Sequence, residues 1–151
     1  MSGPGTDPPL RILTVDDDPL NRALIRAILV RADDSVIRGA LLHEAATLAE
    51  ARSTLAREPV DLVLLDVHLP DGLGLELAAE LGVRSPGDRP AILALTASVL
   101  PAEQQAAIDA GCDAFLAKPY PPAALVAAIG ELLARRRGES AGGAGIVVGA
   151  R

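Results

Sequence analysis

Five polar side chains in this sequence stand directly after short apolar runs, where they could act together in one reaction. They belong to Asp16, Asp17, Asp66, Thr96 and Lys118. Three carboxylates brought close together repel one another, and a hard divalent cation such as Mg²⁺ relieves that repulsion through oxygen ligands. A carboxylate can also attack phosphorus to form an aspartyl phosphate, while a cation, a lysine and a hydroxyl donor neutralise the phosphoryl oxygens. This set of side chains therefore indicates metal-assisted phosphoryl transfer.

Asp66 is the candidate nucleophile because it ends the most apolar segment of the chain. Residues 60–65 are almost all Val and Leu, which is typical of a strand buried on both faces of a parallel sheet. Pro70 and Gly72 then turn the chain, and Asp71 between them is expected to serve that turn. Taken alone, Asp66 could equally cap the loop that follows. The polar residues at the other strand ends favour a chemical role.

Strand and helix patterns alternate five times along the chain. The predicted strands cover residues 11–15, 36–45, 60–66, 91–96 and 114–117. The predicted helices cover residues 19–28, 47–57, 74–81, 101–110 and 122–137, and Gly82 and Gly111 are expected to follow the third and fourth of them. This alternation predicts an α/β protein with a doubly wound parallel sheet and helices on both faces. The carboxyl ends of such strands share one edge, so the five side chains are expected to meet there.

The composition limits the expected partners and the compartment. The chain has 151 residues, of which 50% are hydrophobic, and this is enough for one domain with a full core. Its net charge of -6 argues against DNA binding, and Phe115 and Tyr120 alone offer little stacking for single strands. Cys112 is the only cysteine, which excludes a disulfide within the chain and favours the cytoplasm. No apolar segment approaches the roughly 20 residues that span a bilayer, so no membrane association is expected.

Three regions are expected along the chain. Residues 1–9 are Gly- and Pro-rich and predict a disordered leader, residues 10–137 form the folded domain, and residues 138–151 form a flexible Gly/Ala-rich tail. No second domain is expected after the last predicted helix, so output would pass through a partner protein. Whether the chain acts alone or is a fragment of a longer protein stays open.

Four motifs resemble the receiver domain of bacterial response regulators. They are Val15-Asp16-Asp17-Asp18-Pro19, Leu65-Asp66-Val67-His68-Leu69-Pro70-Asp71-Gly72, Ala94-Leu95-Thr96-Ala97 and Ala117-Lys118-Pro119. The resemblance runs from about residue 11 to residue 134. It implies a flavodoxin-like fold with five strands in the order 2-1-3-4-5 and five helices. It also implies that a sensor histidine kinase or a histidine phosphotransfer protein delivers a phosphoryl group.

The resemblance implies a role for each residue of the set. Asp66 would accept the phosphoryl group. Mg²⁺, or Mn²⁺ in its place, would be bound by Asp16, Asp17, Asp66 and the backbone carbonyl of His68. The phosphoryl group would contact Thr96, Ala97 and Lys118, a conformational switch would be formed by Thr96 and Phe115, and the peptide bond between Lys118 and Pro119 would be cis. Phe115 stands where the family often has Tyr and, without a hydroxyl, can only pack.

Two other functions were compared with this interpretation. A phosphatase of the haloacid dehalogenase type also uses an Asp nucleophile, Mg²⁺ and a lysine, but it needs a second Asp two residues after the nucleophile, where this chain has His68. A pseudo-receiver that only binds partners would be expected to lose an acid or the lysine, and this chain keeps both. A signalling receiver that catalyses only its own phosphorylation and dephosphorylation is therefore favoured over an enzyme.

The output of such a receiver has two alternatives. The phosphorylated face formed by the fourth predicted helix, the fifth strand and the fifth helix could bind an unknown protein target or a second copy of the chain. Alternatively, the phosphoryl group could pass to a histidine of a phosphorelay partner, since residues 18–22 and 94–97 look similar to receivers of hybrid histidine kinases. Part of the first helix would then be a docking surface, formed by Leu20, Ala23, Leu24 and Ala27. The competing interpretation places all four of these side chains in the core.

Overall fold

A computed structural model describes residues 8–85, 87–97 and 100–136 and the backbone of residues 146–148. The helices in this part of the chain are α1 (Pro19–Val30), α2 (Ser35–Arg38), α3 (Leu48–Arg57), α4 (Gly74–Gly82), α5 (Pro101–Asp109) and α6 (Pro122–Arg136). The strands are β1 (Arg11–Val15), β2 (Leu41–Ala45), β3 (Leu62–Asp66), β4 (His68–Leu69), β5 (Gly72–Leu73), β6 (Ala91–Thr96), β7 (Ala114–Ala117) and β8 (Ile146–Val148).

The main sheet is parallel and has the strand order β2-β1-β3-β6-β7-β8. Its first five strands are the five predicted ones, and their order confirms the flavodoxin-like topology. The sixth strand corrects the prediction, because β8 pairs with β7 where the whole of residues 138–151 was expected to be flexible. Three apolar residues in a Gly/Ala-rich segment are too short a pattern to predict a strand. Most of the predicted leader, residues 1–7, lies outside the described residues.

The sheet separates two apolar layers. One layer packs under α1, α2 and α6 and includes Ile12, Ile25, Ile37, Leu93, Leu125 and Ile129. The other packs under α3, α4 and α5 and includes Leu13, Leu48, Leu77, Ile92, Ala107 and Phe115. Residues 62–65 of β3 alternate between the two layers and all are 0% exposed, which confirms a strand buried on both faces. Burying each of these side chains contributes about 1.5–3 kcal/mol, so this strand fixes the position of its last residue, Asp66.

The connection between α1 and β2 differs from the prediction. Residues 36–45 were expected to contain the second strand without a defined start; β2 lies in that range from Leu41, and an unpredicted helix, α2, occupies Ser35–Arg38. The side chain of Asp34 caps this extra helix by accepting hydrogen bonds from the backbone N–H groups of Val36 at 2.8 Å and Ile37 at 3.2 Å. The domain therefore has six helices in its described part, not five. Gly82 was also placed wrongly, because it is the last residue of α4 and Val83 follows as the cap.

A small hairpin follows β3 and separates it from α4. It consists of β4 and β5, which pair antiparallel. Asp71 was expected to serve only the turn of this hairpin, but its carboxylate also contacts α3. It accepts hydrogen bonds from the backbone N–H groups of Leu48 at 2.9 Å and Ala49 at 3.2 Å. It therefore caps the start of α3, where helical N–H groups have no partners of their own. Gly72 lies at φ +148°, a region that favours glycine.

Candidate functional site

The first part of the site is the junction between β1 and α1, where two of the predicted acids lie. Asp16 is only 1% exposed, whereas Asp17 is exposed. The backbone N–H of Asp16 donates to the carbonyl of Ala45 at 2.9 Å, and its Oδ1 accepts from the backbone N–H of Asp18 at 2.9 Å. Asp18 in turn caps α1 by accepting from the N–H of Leu20 at 2.9 Å. This arrangement directs the carboxylate of Asp16 toward the carboxyl edge of the sheet.

Arg22 on α1 contacts the same junction from the helix side. Its Nη1 donates to the backbone carbonyl of Asp16 at 2.7 Å, and its Nε donates to Oε1 of Glu44 at 3.2 Å. Arg26, one turn further along α1, also pairs with Glu44 at 3.0 Å. In the sequence, Arg22 stands out only as part of the motif at residues 18–22, and no pattern points to Glu44. Their separation of 22 residues gives no sequence pattern that would reveal the pair.

Asp66 and Lys118 meet at the centre of the site. The Nζ atom of Lys118 lies 3.4 Å from Oδ2 of Asp66 and 3.7 Å from Oδ2 of Asp16. The other oxygen of Asp66, Oδ1, accepts a hydrogen bond from the backbone N–H of His68 at 3.1 Å. Burial raises the pKa of Asp66 and the negative charge of Asp16 adds to that, while the His68 N–H and the Lys118 ammonium oppose it. The carboxylate of Asp66 is thus held between one cation and one acid.

The three predicted acids form one cluster. One carboxylate oxygen from each of Asp16, Asp17 and Asp66 lies within 4.8 Å of the others. The Oδ2 atom of Asp16 is buried and accepts no hydrogen bond, and the ammonium of Lys118 at 3.7 Å offsets its charge only in part, so a second cation at this oxygen would be favourable. The donors are all hard oxygens, so the residues present fit Mg²⁺ or Mn²⁺. The backbone carbonyl of His68 stays a predicted metal ligand. The contact of His68 with the site is the hydrogen bond from its backbone N–H to Asp66.

Thr96, Ala97 and the Lys118–Pro119 pair lie on the neighbouring strand ends. In the sheet Asp66 pairs with Leu95, and Thr96 pairs with Ala117. Thr96 is 5% exposed, Ala97 after it is exposed, and the backbone N–H of Lys118 donates to the carbonyl of Thr96 at 2.7 Å. The Lys118–Pro119 peptide bond is cis. The structure therefore brings the predicted hydroxyl and lysine to the same edge as the acids.

Phe115, the predicted partner of Thr96 in a switch, points into the core. It is 3% exposed and pairs in the sheet with Ala94, which lies on the same face of β6 as Thr96. It packs in the layer that also contains Ile92, Ala107 and Cys112. Its role as a switch residue stays a prediction.

Tyr120 lies beside the site and was missed by the sequence analysis as a site residue. Its pKa is raised to about 12, first by burial and then by the carboxylates of Asp16 and Asp66. The sequence feature that points to Tyr120 is its position, because it is an aromatic residue two positions after Lys118. It lines a mostly apolar cavity of about 400 Å³, and the other lining residues in the described part of the chain are Asn21, Leu24, Ala97, Lys118 and Pro119.

A second cavity, of about 450 Å³, lies between α1 and α6. It is lined by residues that include Leu24, Ala27, Arg31, Pro122 and Val126. Leu24 therefore lines both cavities, and it is 53% exposed, while Leu20 is 77% exposed. Ala23 and Ala27 are half-buried. The interpretation that all four of these side chains lie in the core is wrong for the two leucines.

Within the part of the chain that the structure describes, no helix combines the length and apolar character that crossing a bilayer requires.

Comparison with known proteins identifies a sensor protein and response regulators among the relatives of this chain. The chain is 39% identical over 123 residues to the aerobic respiration control sensor protein ArcB of Escherichia coli (strain K12), an alignment that covers 81% of this chain and 15% of that protein. It is 40% identical over 129 residues to the response regulator MprA of Mycobacterium sp. (strain KMS), with 85% of this chain and 50% of that protein covered. The chain thus spans half the length of MprA and a smaller part of ArcB.

Solved structures agree with the topology. The CheY-like response regulator receiver domain protein of Methanospirillum hungatei JF-1 superposes with a TM-score of 0.75 at 29% identity, covering 88% of this chain and all of that one. The chemotaxis response regulator CheY4 of Vibrio cholerae superposes with a TM-score of 0.73 at 25% identity, covering 83% of this chain and 99% of that one. The sequence model of the response regulator receiver domain matches residues 12–130, which span all the acids, the hydroxyl and the lysine of this site. The alternative of a haloacid dehalogenase phosphatase is therefore abandoned, because this chain belongs to the response regulator receiver family.

Proposed function

We propose that Asp66 is the residue that accepts the phosphoryl group. A carboxylate oxygen of Asp66 attacks the phosphorus of a phosphohistidine, the phosphorus–nitrogen bond breaks, and the imidazole leaves with the electron pair. The observation that carries this assignment is the position of Asp66 between the ammonium of Lys118, at 3.4 Å, and the acids of the β1–α1 junction. The ammonium of Lys118 can contact and neutralise the phosphoryl oxygens when the phosphoryl group binds. The exposed side chain of Ala97 is small and leaves room for an imidazole.

Mg²⁺, or Mn²⁺, would be held by Asp16, Asp17 and Asp66 together with the carbonyl of His68. The buried Oδ2 of Asp16 supports this set, since it accepts no hydrogen bond and the ammonium of Lys118 lies 3.7 Å away. When bound, the ion supplies positive charge for the phosphoryl oxygens and offsets the repulsion among the acids. Lys118 and Thr96 would then contact the phosphoryl group from the β6 and β7 side.

The same site would drive a switch. Thr96 would move toward the phosphoryl group and Phe115 would fill the space that it leaves, shifting an equilibrium between two arrangements of α5, β7 and α6. This face would then bind an unknown target protein or a second copy of the chain. The strand β8 lies on the outer edge of β7, so any partner that uses this face has to accommodate or displace it.

The donor is proposed to be a sensor histidine kinase or a histidine phosphotransfer protein of the cytoplasm. Leu20 and Leu24 are exposed on α1. Leu24 lines both cavities, and one of them also reaches Lys118, the partner of Asp66. A helix that carries a histidine could pack on this surface and bring its imidazole to Asp66. The similarity to part of a sensor protein, ArcB, agrees with a relay role, and the equal similarity to the response regulator MprA agrees with a switch that binds a target.

The assignment of the acceptor is tested with acetyl phosphate and Mg²⁺, followed by intact-mass spectrometry. The wild-type protein should gain one phosphoryl group, and Asp66→Asn should gain none. The matched control is Asp61→Asn, at the other end of the same strand, where the carboxylate accepts from the N–H of Arg11 at 2.8 Å and an asparagine oxygen can replace it. Unchanged labelling of Asp66→Asn would refute the assignment, and loss of labelling in both variants would point to a folding defect.

A further inference from the structure

We propose that Arg22, held in place by Glu44, positions Asp16 for the metal and thereby sets the affinity of the site for Mg²⁺. This inference rests on the metal site described under the proposed function. The guanidinium of Arg22 joins three segments of the fold, because it belongs to α1, donates to the carbonyl of Asp16 at 2.7 Å, and donates to Glu44 on β2 at 3.2 Å. An arginine can hold two such contacts at once because its donors form a rigid planar fork.

The backbone of Asp16 is fixed from both sides. Its N–H donates to the carbonyl of Ala45, the neighbour of Glu44 on β2, and its carbonyl accepts from Arg22. With Oδ1 bonded to the N–H of Asp18, the direction of Oδ2 depends on these two backbone contacts. Without Arg22 the peptide group between Asp16 and Asp17 loses one of its anchors, and both predicted metal ligands become less well oriented. Outer contacts of this kind typically change metal affinity by about 10–100-fold.

Charge and orientation predict opposite effects for the loss of Arg22. Its positive charge lies near the acids, so on electrostatic grounds alone its removal should strengthen the binding of a cation. If Arg22 acts by orienting Asp16, its removal should weaken that binding. The direction of the change in Mg²⁺ affinity therefore separates a positioning role from a purely electrostatic one.

Arg26 provides a matched control. It lies on the same helix, forms an ion pair with the same glutamate at 3.0 Å, and contacts Glu44 through Nε and Nη2. Replacing it removes the same charge from the same partner, but it leaves the contact between Arg22 and Asp16 in place.

The experiment compares the wild-type protein with Arg22→Gln, Arg22→Lys and Arg26→Gln. The Kd for Mg²⁺ is obtained from the rise in melting temperature with Mg²⁺ concentration, and the Kd for Mn²⁺ from electron paramagnetic resonance. Arg22→Gln should raise both Kd values about tenfold and Arg22→Lys by less, because a lysine can keep one of the two contacts. Arg26→Gln should leave them unchanged or lower them. At saturating Mg²⁺, labelling of Arg22→Gln by acetyl phosphate should return close to the wild-type rate.

A Kd for Arg22→Gln that is unchanged or lower, in a protein whose wild type responds to Mg²⁺, would overturn this inference alone. A wild type that does not respond to Mg²⁺ or Mn²⁺ would overturn the proposed metal site and the inference with it. If Arg22→Gln does not fold, as judged by its metal-free melt, Arg22→Lys carries the test, and an unchanged Kd for that variant would also refute the proposal.

Discussion

The ammonium of Lys118 lies 3.4 Å from the carboxylate of Asp66, so the proposed acceptor has a cationic partner before any phosphoryl group binds. Lys118 is also the only lysine in the chain. Its replacement by methionine should slow labelling by acetyl phosphate about a hundredfold, because one charged donor to the phosphoryl oxygens is lost. Quantitative mass spectrometry over time measures this rate. A rate within a factor of two of the wild type would contradict the role given to Lys118.

The single lysine also provides a direct probe of the site. Reductive methylation with a ¹³C-labelled reagent should place one labelled side chain beside Asp66, in addition to the amino terminus, and it keeps the positive charge. Its NMR signal should shift when Mg²⁺ is added, and it should shift again on phosphorylation. Lys118→Arg identifies the signal by its disappearance. If the signal changes neither with Mg²⁺ nor on phosphorylation, Lys118 does not contact the metal or the phosphoryl group.

The raised pKa of Asp66 predicts how the stability of the metal-free protein depends on pH. The pKa of Asp66 in the folded state is higher than its ordinary value of 3.8. The free energy of unfolding therefore falls as the pH rises from 3.8 through the folded-state pKa, and it stays lower at higher pH. Asp66→Asn should therefore stabilise the metal-free protein at neutral pH, and the gain should shrink as the pH falls toward 3.8. Thermal melts of both proteins in a chelating buffer measure this difference. A gain that is independent of pH would contradict the prediction.

Asp71 should have the opposite dependence, because its pKa is lowered by the hydrogen bonds from Leu48 and Ala49. The cap stabilises the folded state at pH values above 3.8 and is lost as the pH falls through the lowered pKa. Asp71→Ala should lower the melting temperature at neutral pH by a few degrees, and the difference from the wild type should disappear in acid. Asp71→Asn keeps an acceptor oxygen and should lose less.

The two exposed leucines of α1 predict where a donor protein binds. Leu24→Ala should slow transfer from a histidine phosphotransfer protein about tenfold, because this side chain lines both cavities beside the site. Val30→Ala is the matched control, since Val30 is a similarly exposed apolar residue, 57% against 53%, on the same helix. Radiolabel transfer is measured against labelling by acetyl phosphate, which needs no docked protein. Equal effects of the two variants would argue against this surface.

The sequence allowed the strands that carry the site and its main residues to be predicted, for a physical reason. Asp66 and Lys118 each end an apolar run, and the parallel topology brings such ends together whatever the details of the loops. The extra helix α2 was missed because Val36 and Ile37 are β-branched and favour a strand, whereas the cap by Asp34 decides the local structure. Contacts between distant segments, such as Arg22 with Glu44 or Asp71 with α3, leave no periodic pattern in the sequence.

The hairpin after Asp66 leaves the main sheet at Val67, and its end at Gly74 lies beside Val67 again. The N–H of Gly74 donates to the carbonyl of Val67 at 2.7 Å, and the N–H of Val67 donates to the carbonyl of Leu95 on the next strand. A side chain at Gly74 would collide with the backbone carbonyl of Asp66. The six residues between Val67 and Gly74 are therefore anchored at both ends by backbone hydrogen bonds that do not involve their side chains. Apart from Asp71 and Gly72, the exposed side chains of this segment can change and so alter which proteins recognise it, while the carboxylate of Asp66 keeps its position at the end of β3.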